Sequence, residues 1–445
     1  MIHKKSTLAW GMALCACLAF LQIRAQEDVA NAFTNQEQEA LINSVAQLLD
    51  ENYIFPETAK KVGTALKENL RKGIYTPLRD PAELAGKITE DLRSLSKDLH
   101  FSLQYNPGWV AENQVTVSEE DSIAFAQQRL AAAKRRNFGF KQLTVLEGNV
   151  GYLNLSGFED TRYAGETAAT AMNFFENADA LIIDLRQNGG GSPSMIQLIT
   201  SYLFDAEPIH LNSFYWRQTD QTTQTWTLPY VPGKRRPDLD VYVLTSNYTF
   251  SAAEEFTYNL QNLERATIVG ETTGGGAHPV DRVAASDKFV LQVPIGRAIN
   301  PITQTNWEGT GVAPDINVPS DKALLTAHIK ALEKLKAKHT NAAPTYDWHL
   351  PVLRAKERPI TVGRKTLESY TGNYGPRKIT LENGQLFYQR EEGPKYKLNP
   401  LTEVLFSIEE IPYFRVHFIK SEAGRTQALQ GIYENGRTDQ HTKNG

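Results

Sequence analysis

The sequence predicts an α/β protein with a largely parallel sheet, preceded by a helical unit and followed by a separate all-β module. Three observations carry that reading. Apolar residues repeat at helical spacing between 35 and 99. Buried-type strands alternate with helices between 149 and 335, and short alternating stretches separated by turn signals fill the chain beyond 361. The 445 residues are 41% hydrophobic and 22% charged, globular proportions in a chain long enough for two or three domains. A net charge of −4 supplies no basic field to steer DNA or RNA, so no nucleic-acid partner is expected.

Residues 1–25 read as an export signal. Lys4 and Lys5 precede an apolar run from Leu8 to Leu21, and Ala25 offers a small residue for cleavage. The run is shorter than the ~20 apolar residues of a spanning helix. Both cysteines, Cys15 and Cys17, fall inside it, so a cleaved chain would hold no disulfide, Cys nucleophile or thiolate metal site. Leu14-Cys15-Ala16-Cys17 loosely resembles a lipoprotein box, and a lipid at Cys17 is the membrane attachment the sequence offers. A periplasmic, envelope or secreted bacterial location is expected.

Residues 26–105 read as a helical subdomain. Leu41, Ile42, Val45, Leu48 and Leu49 share a face, Val62, Leu66 and Leu70 repeat it, and Pro81 fits the first turn of a third helix. The α/β core is expected over 106–340. It opens with a polar stretch, 106–148, that carries Lys134-Arg135-Arg136. Strands follow at 149–155, 180–185, 241–244 and 266–269, and helices at 163–177, 196–204, 252–263 and 324–335, the last behind a capping Ser320. Three prolines, Pro344, Pro351 and Pro359, make 341–361 a linker. Beyond it, 362–445 reads as a small barrel or sandwich, with Asn383-Gly384 as a hairpin turn.

Two strand-to-helix turns carry chemistry. Ser251, in Thr249-Phe250-Ser251-Ala252-Ala253-Glu254, stands where a helix begins, and a helix start offers unpaired N–H groups to a developing oxyanion. The same residues spell a capping box, a structural role that the local sequence leaves open. Asp184-Leu185-Arg186-Gln187-Asn188 runs into Gly189-Gly190-Gly191, whose freedom lets N–H groups face an anion. A phosphate loop is a poor fit, because the Walker Lys-Ser/Thr ending is missing. A second glycine run, 270–276, would shape a cleft wall. No His pair has zincin spacing, so neither a catalytic metal nor a cofactor is expected.

In order and spacing, four motifs resemble the tail-specific (C-terminal-processing) serine peptidase family S41, and more closely its interphotoreceptor retinoid-binding protein-like branch. They are Ile182-Ile183-Asp184-Leu185-Arg186-x-Asn188-Gly189-Gly190, Thr249-x-Ser251-Ala252-Ala253-Glu254, Val269-Gly270-Glu271-x-Thr273-x-Gly275 and Glu308-Gly309-x-Gly311-Val312-x-Pro314-Asp315. The resemblance covers roughly residues 35 to 335 and implies a crotonase/ClpP-like core with Ser251 as nucleophile. Members with a Ser–Lys dyad carry the Lys where this chain has Thr273-Gly274-Gly275-Gly276, so the dyad does not transfer. Asp98-Leu99-His100 and Glu308 instead match the Ser-His-Glu arrangement of tricorn-type members.

On that basis His100 is the expected base and Glu308 its orienting acid. Gly189 or Gly190, with Ala252, would supply oxyanion donors. His278, in Gly275-Gly276-Ala277-His278, is a rival base or cleft residue. The interval 106–148 is too short for the PDZ domain many relatives carry. The expected function is an exported serine endopeptidase acting on peptides or unfolded proteins. The alternative is a catalytically silent binder of retinoid-like or fatty-acid-like ligands.

Overall fold

The computed structural model describes residues 33–114 and 119–444, so the expected signal and Cys17 lie outside the described residues. The center of the molecule is a six-stranded sheet. Its order runs Ile316–Asn317, Ala266–Gly270, Asp240–Thr245, Ala180–Asp184, Val150–Leu155 and Phe140–Leu146. All neighbors are parallel except the last pair, which is an antiparallel hairpin. The α/β class expected from the alternating strands and helices is the one observed.

Side chains on successive strand positions point to opposite faces, and both faces are buried here. Leu153, Leu181, Ile183, Val241, Val243 and Ile268 meet the helices Thr161–Phe174, Pro193–Tyr202 and Ala252–Asn262. Tyr152, Ile182, Tyr242, Leu244 and Val269 face the helix Ser320–Lys338, through Ala327, Leu332 and Leu335. That helix starts at its expected cap: Ser320 is the first helical residue, Pro319 is the N-cap, and Ser320 N–H donates to Glu271 Oε1 at 3.0 Å.

The helices Asn35–Asn52, Pro56–Arg71 and Pro81–Ser96 form the N-terminal unit. Their apolar faces do not close on themselves. They pack with Phe101 and Leu103 onto Ala285, Phe289, Leu291 and Val293. Strand Ser102–Tyr105 pairs antiparallel with Phe289–Pro294, which pairs with Val280–Ala284. One core therefore spans residues on both sides of position 105, and the segment around His100 is pinned where two parts of the chain meet.

The stretch 106–148 holds helices Pro107–Gln114 and Glu119–Arg135, with Lys134 and Arg135 in a last turn where positive charge is favorable, before the edge strand Phe140–Leu146. The expected linker departs from its reading. Residues Ala343–Glu357 form a helix whose Tyr346, Leu350 and Leu353 join the core on the Ser320–Lys338 side. Pro344 lies in its first turn, where a missing N–H costs little.

Beyond this helix, two antiparallel sheets of four and five strands share a core that includes Tyr374, Phe406, Val416 and Phe418. Tyr370 stacks on Phe418 at 4.0 Å, and Asn383 and Gly384, with φ 50° and 80°, make the expected hairpin turn. Trp348 of the connecting helix joins the two parts. The Arg415 guanidinium lies 3.8 Å from its ring center, and its Nε1 donates to Pro412 O at 3.2 Å.

Leu332 is fully buried between the helix Ser320–Lys338 and the sheet. Leu332→Ala is expected to cost about 2–5 kcal/mol of unfolding free energy, read from urea denaturation midpoints.

Candidate active site

The two chemistry-bearing turns are sewn to each other. Arg186 donates to both Asp184 oxygens, at 2.9 and 2.6 Å, and Tyr152 OH reaches Asp184 Oδ2 at 2.7 Å. The Asp-x-Arg motif is thus a brace. Ser246 Oγ donates to Arg186 O at 2.6 Å, Thr249 Oγ1 to Leu185 O at 2.9 Å, and Phe250 N–H to Asn188 O at 3.1 Å. The second turn hangs on the first.

Ser251 sits at the N-cap of helix Ala252–Asn262 with φ 55° and ψ −122°. For a non-glycine residue this conformation costs on the order of 1–3 kcal/mol, and such strain gathers at functional sites. A nucleophile on a sharp strand-to-helix turn is held in the same way. Gly190, at φ 110°, passes so close that a Cβ there would lie 2.9 Å from Ser251 Cβ and 3.1 Å from Ala252 N. Only a glycine lets the two turns approach this far.

Of the expected oxyanion donors, Gly190 is corrected: its N–H already donates to Asn188 Oδ1 at 2.9 Å. Gly189 and Ala252 N–H groups have no acceptor among the described residues. Ala252 follows Ser251 directly, Gly189 precedes the glycine that abuts it, and both N–H groups remain able to receive an anion.

Glu254, whose capping role the sequence showed, does more than cap. Its fully buried carboxylate accepts from Ser251 N–H at 2.9 Å, Gly276 N–H at 2.8 Å, Gly275 N–H at 2.6 Å and Thr273 Oγ1 at 2.5 Å. Burial pushes this carboxyl up, and the four donors oppose the push. The glycines 275 and 276 therefore serve as donors that fix the Ser251 turn. The same segment zips to the Glu308 loop. Trp307 Nε1 donates to Gly276 O at 2.7 Å, Gly309 N–H to Gly275 O at 3.0 Å, and Ala277 N–H to Glu308 Oε2 at 2.6 Å.

His100 is buried, and its ring packs on Phe250, the residue before Ser251, at 4.7 Å. Neither ring nitrogen has a hydrogen-bond partner. Nδ1 lies 3.8 Å from Asp98 Oδ1 and 4.0 Å from Glu308 Oε2, so the structure gathers the expected base and acid without closing a bond between them. Catalytic hydrogen bonds are often long before substrate arrives. His278 is in the same cluster: its Nδ1–H donates to Asp98 Oδ2 at 2.7 Å and stands 3.4 Å from Glu308 Oε2. Asp98 also accepts from His100 N–H at 3.0 Å and from Tyr53 OH at 3.4 Å. Beside the cluster runs an open groove of about 710 Å³. Gly86, Thr89, Arg93, Lys97, Leu99 and Gly309 are among its lining residues.

Asn188, Glu254 and Tyr53 were not singled out as site residues. Asn188 stood inside a motif already quoted, and Glu254 was legible as a cap. Tyr53 gave no signal, because its contact with Asp98 spans 45 positions.

Comparison with known proteins places this geometry. Residues 149–318 match the family model "Peptidase family S41", and residues 31–135 match the N-terminal domain of that peptidase in eukaryotic IRBP. The chain belongs to peptidase family S41. A tail-specific protease of Haemophilus influenzae is 30% identical over 156 residues, 32% of this chain and 21% of that protein. A carboxyl-terminal-processing protease of Synechocystis sp. is 32% identical over 168 residues, 38% of this chain and 37% of that protein. The chain thus spans well under half the length of these relatives. The crystal structure of the tricorn protease aligns at a TM-score of 0.43 with 14% identity, over 67% of this chain and 37% of that one.

A Cβ on Gly276 would strike the Phe250 ring and lie 2.6 Å from His100 Cε1. Gly276→Ala should slow labeling of Ser251 by a fluorophosphonate about 10²-fold, since small displacements at reacting groups cost that much. The overpacking should cost about 1–3 kcal/mol by denaturant titration.

Proposed function

We propose that this chain is an exported serine endopeptidase that cleaves peptides or unfolded proteins through an acyl-enzyme. The observation that carries this reading is a strained Ser251 at a helix start, followed by an Ala252 N–H without an acceptor among the described residues and next to Phe250, which packs on His100. His100 takes the Ser251 hydroxyl proton as Oγ attacks the scissile carbonyl. The oxyanion is received by the two N–H groups, the carbon–nitrogen bond breaks, and His100 returns the proton to the leaving amine. Water, deprotonated by the same ring, then releases the acyl group. Glu308 orients and stabilizes the imidazolium.

A peptide substrate is supported by the cavity lined in part by Leu99 and Gly309, the chain neighbors of the base and the acid. Export rests on the pattern from Lys4 to Ala25. Among the described residues no helix is long and apolar enough to cross a membrane.

A fluorophosphonate probe should label the wild type and leave Ser251→Ala unlabeled, and casein cleavage should vanish in His100→Ala. A wild type that neither labels nor cleaves, yet takes up a fluorescent fatty acid or retinoid, would establish the silent binder instead.

The pH dependence has a worked sign. Burial drives His100 down to about 4, so above that value it is the neutral base. Burial first, and then the Asp98 charge, push Glu308 up to about 7, so it becomes a charged partner only above that pH. kcat/KM should therefore rise as pH passes 7. In Glu308→Gln that limb should disappear and the plateau should fall; a limb unchanged in the variant removes Glu308 from the mechanism.

A further inference from the structure

We propose that Asp98, His100 and Glu308 form an inhibitory site for a divalent cation of the Zn²⁺ type. One oxygen or nitrogen from each of the three lies within 4.8 Å of the others. Proximity of acidic groups alone would mean little, but His100 adds an independent observation. The residue is 5% exposed, and both of its ring nitrogens are without partners. Nδ1 is aimed at the two carboxylates, 3.8 Å from Asp98 Oδ1 and 4.0 Å from Glu308 Oε2. Glu308 Oε1 is likewise unpartnered. The two bare imidazole nitrogens and Glu308 Oε1 can be satisfied by a cation that accepts their lone pairs. Asp98 Oδ1 and Glu308 Oε2 each take one backbone N–H and keep a second lone pair for it.

The donor set selects the class. One imidazole and two carboxylates suit Zn²⁺, which takes His nitrogen at about 2.0–2.1 Å and carboxylate oxygen at about 2.0–2.2 Å in four-coordinate sites. Tetrahedral ligands at those lengths stand about 3.3–3.5 Å apart. The His100–carboxylate pairs, at 3.8 and 4.0 Å, must then close by roughly half an ångström, and the two carboxylates, within 4.8 Å, by up to about 1.4 Å. The surrounding contacts orient them for it. Tyr53 OH and His278 Nδ1–H hold Asp98 through Oδ2, and the His100 backbone N–H holds Oδ1, at 3.0 Å, beside its own ring. Ala277 N–H fixes Glu308 Oε2. Outer contacts of this kind set ligand direction in metal sites.

The functional consequence rests on the peptidase reading above. A cation on His100 Nδ1 occupies the nitrogen that must face the acid and consumes Glu308 as well. The base is then locked, and turnover stops without any change at Ser251.

The test uses the full chain and Co²⁺ as a visible probe, because four-coordinate Co²⁺ absorbs strongly where the hydrated ion does not. Wild type and Ser251→Ala should each develop this absorption with one equivalent of Co²⁺, and Zn²⁺ should bleach it. His100→Ala and Glu308→Gln should each bind at least tenfold more weakly, and two variants guard against one misfolding. Casein cleavage by wild type should fall over the same Zn²⁺ range and return with a chelator. Co²⁺ binding that is unchanged in both variants, or cleavage indifferent to Zn²⁺ at occupancies that bleach the signal, overturns the proposal. A wild type that binds Co²⁺ through His100 and Glu308 yet cleaves nothing without metal refutes the peptidase reading while the cation site stands.

Discussion

The Glu254 carboxylate is the constraint on which the rest of the site depends. It sits out of contact with water, where an ionized acid would be prohibitively costly without donors. Four donors surround it, one from the Ser251 turn and three from the segment 273–276. That arrangement converts a helix cap into a cross-brace. The strained backbone at Ser251 is held from one side by Glu254 and from the other by Gly190, and the Glu308 loop inherits its position through the same segment. Strain of this kind persists only where neighboring structure over-determines it.

The proposed base comes from elsewhere. His100 lies between a helical unit and a strand whose partner, Phe289–Pro294, sits almost two hundred positions downstream in sequence. The shared apolar core of Leu84, Ile88, Phe101, Phe289 and Leu291 sets that distance. Stability of the N-terminal helices and placement of the imidazole are therefore one problem: loosening the first displaces the second.

Much of the fold was legible because its elements announce themselves locally. The strand Ala180–Asp184 is an unbroken apolar run closed by Asp and glycines, and Asn383-Gly384 dictates its own hairpin. The connecting helix Ala343–Glu357 was missed because prolines were read as breakers, while tertiary burial of Tyr346, Leu350 and Leu353 decided the matter. At the site, Ser251, His100 and Glu308 could be named from ordered motifs. The occupation of the Gly190 N–H by Asn188 could not, since it depends on where a side-chain oxygen points within a turn. Nor could the four-donor cradle of Glu254, which exists only after two distant loops meet.

The connecting helix has a practical corollary. It belongs to two bodies at once, with Tyr346, Leu350 and Leu353 filling the rear layer of the central sheet and Trp348 clasping Arg415 beyond it. Trimming the chain near residue 341, where composition alone draws a border, would leave an open apolar trench behind the sheet. A shortened enzyme that keeps its interior sealed must run past Glu357, and the severed β module would then lose its Trp348 anchor.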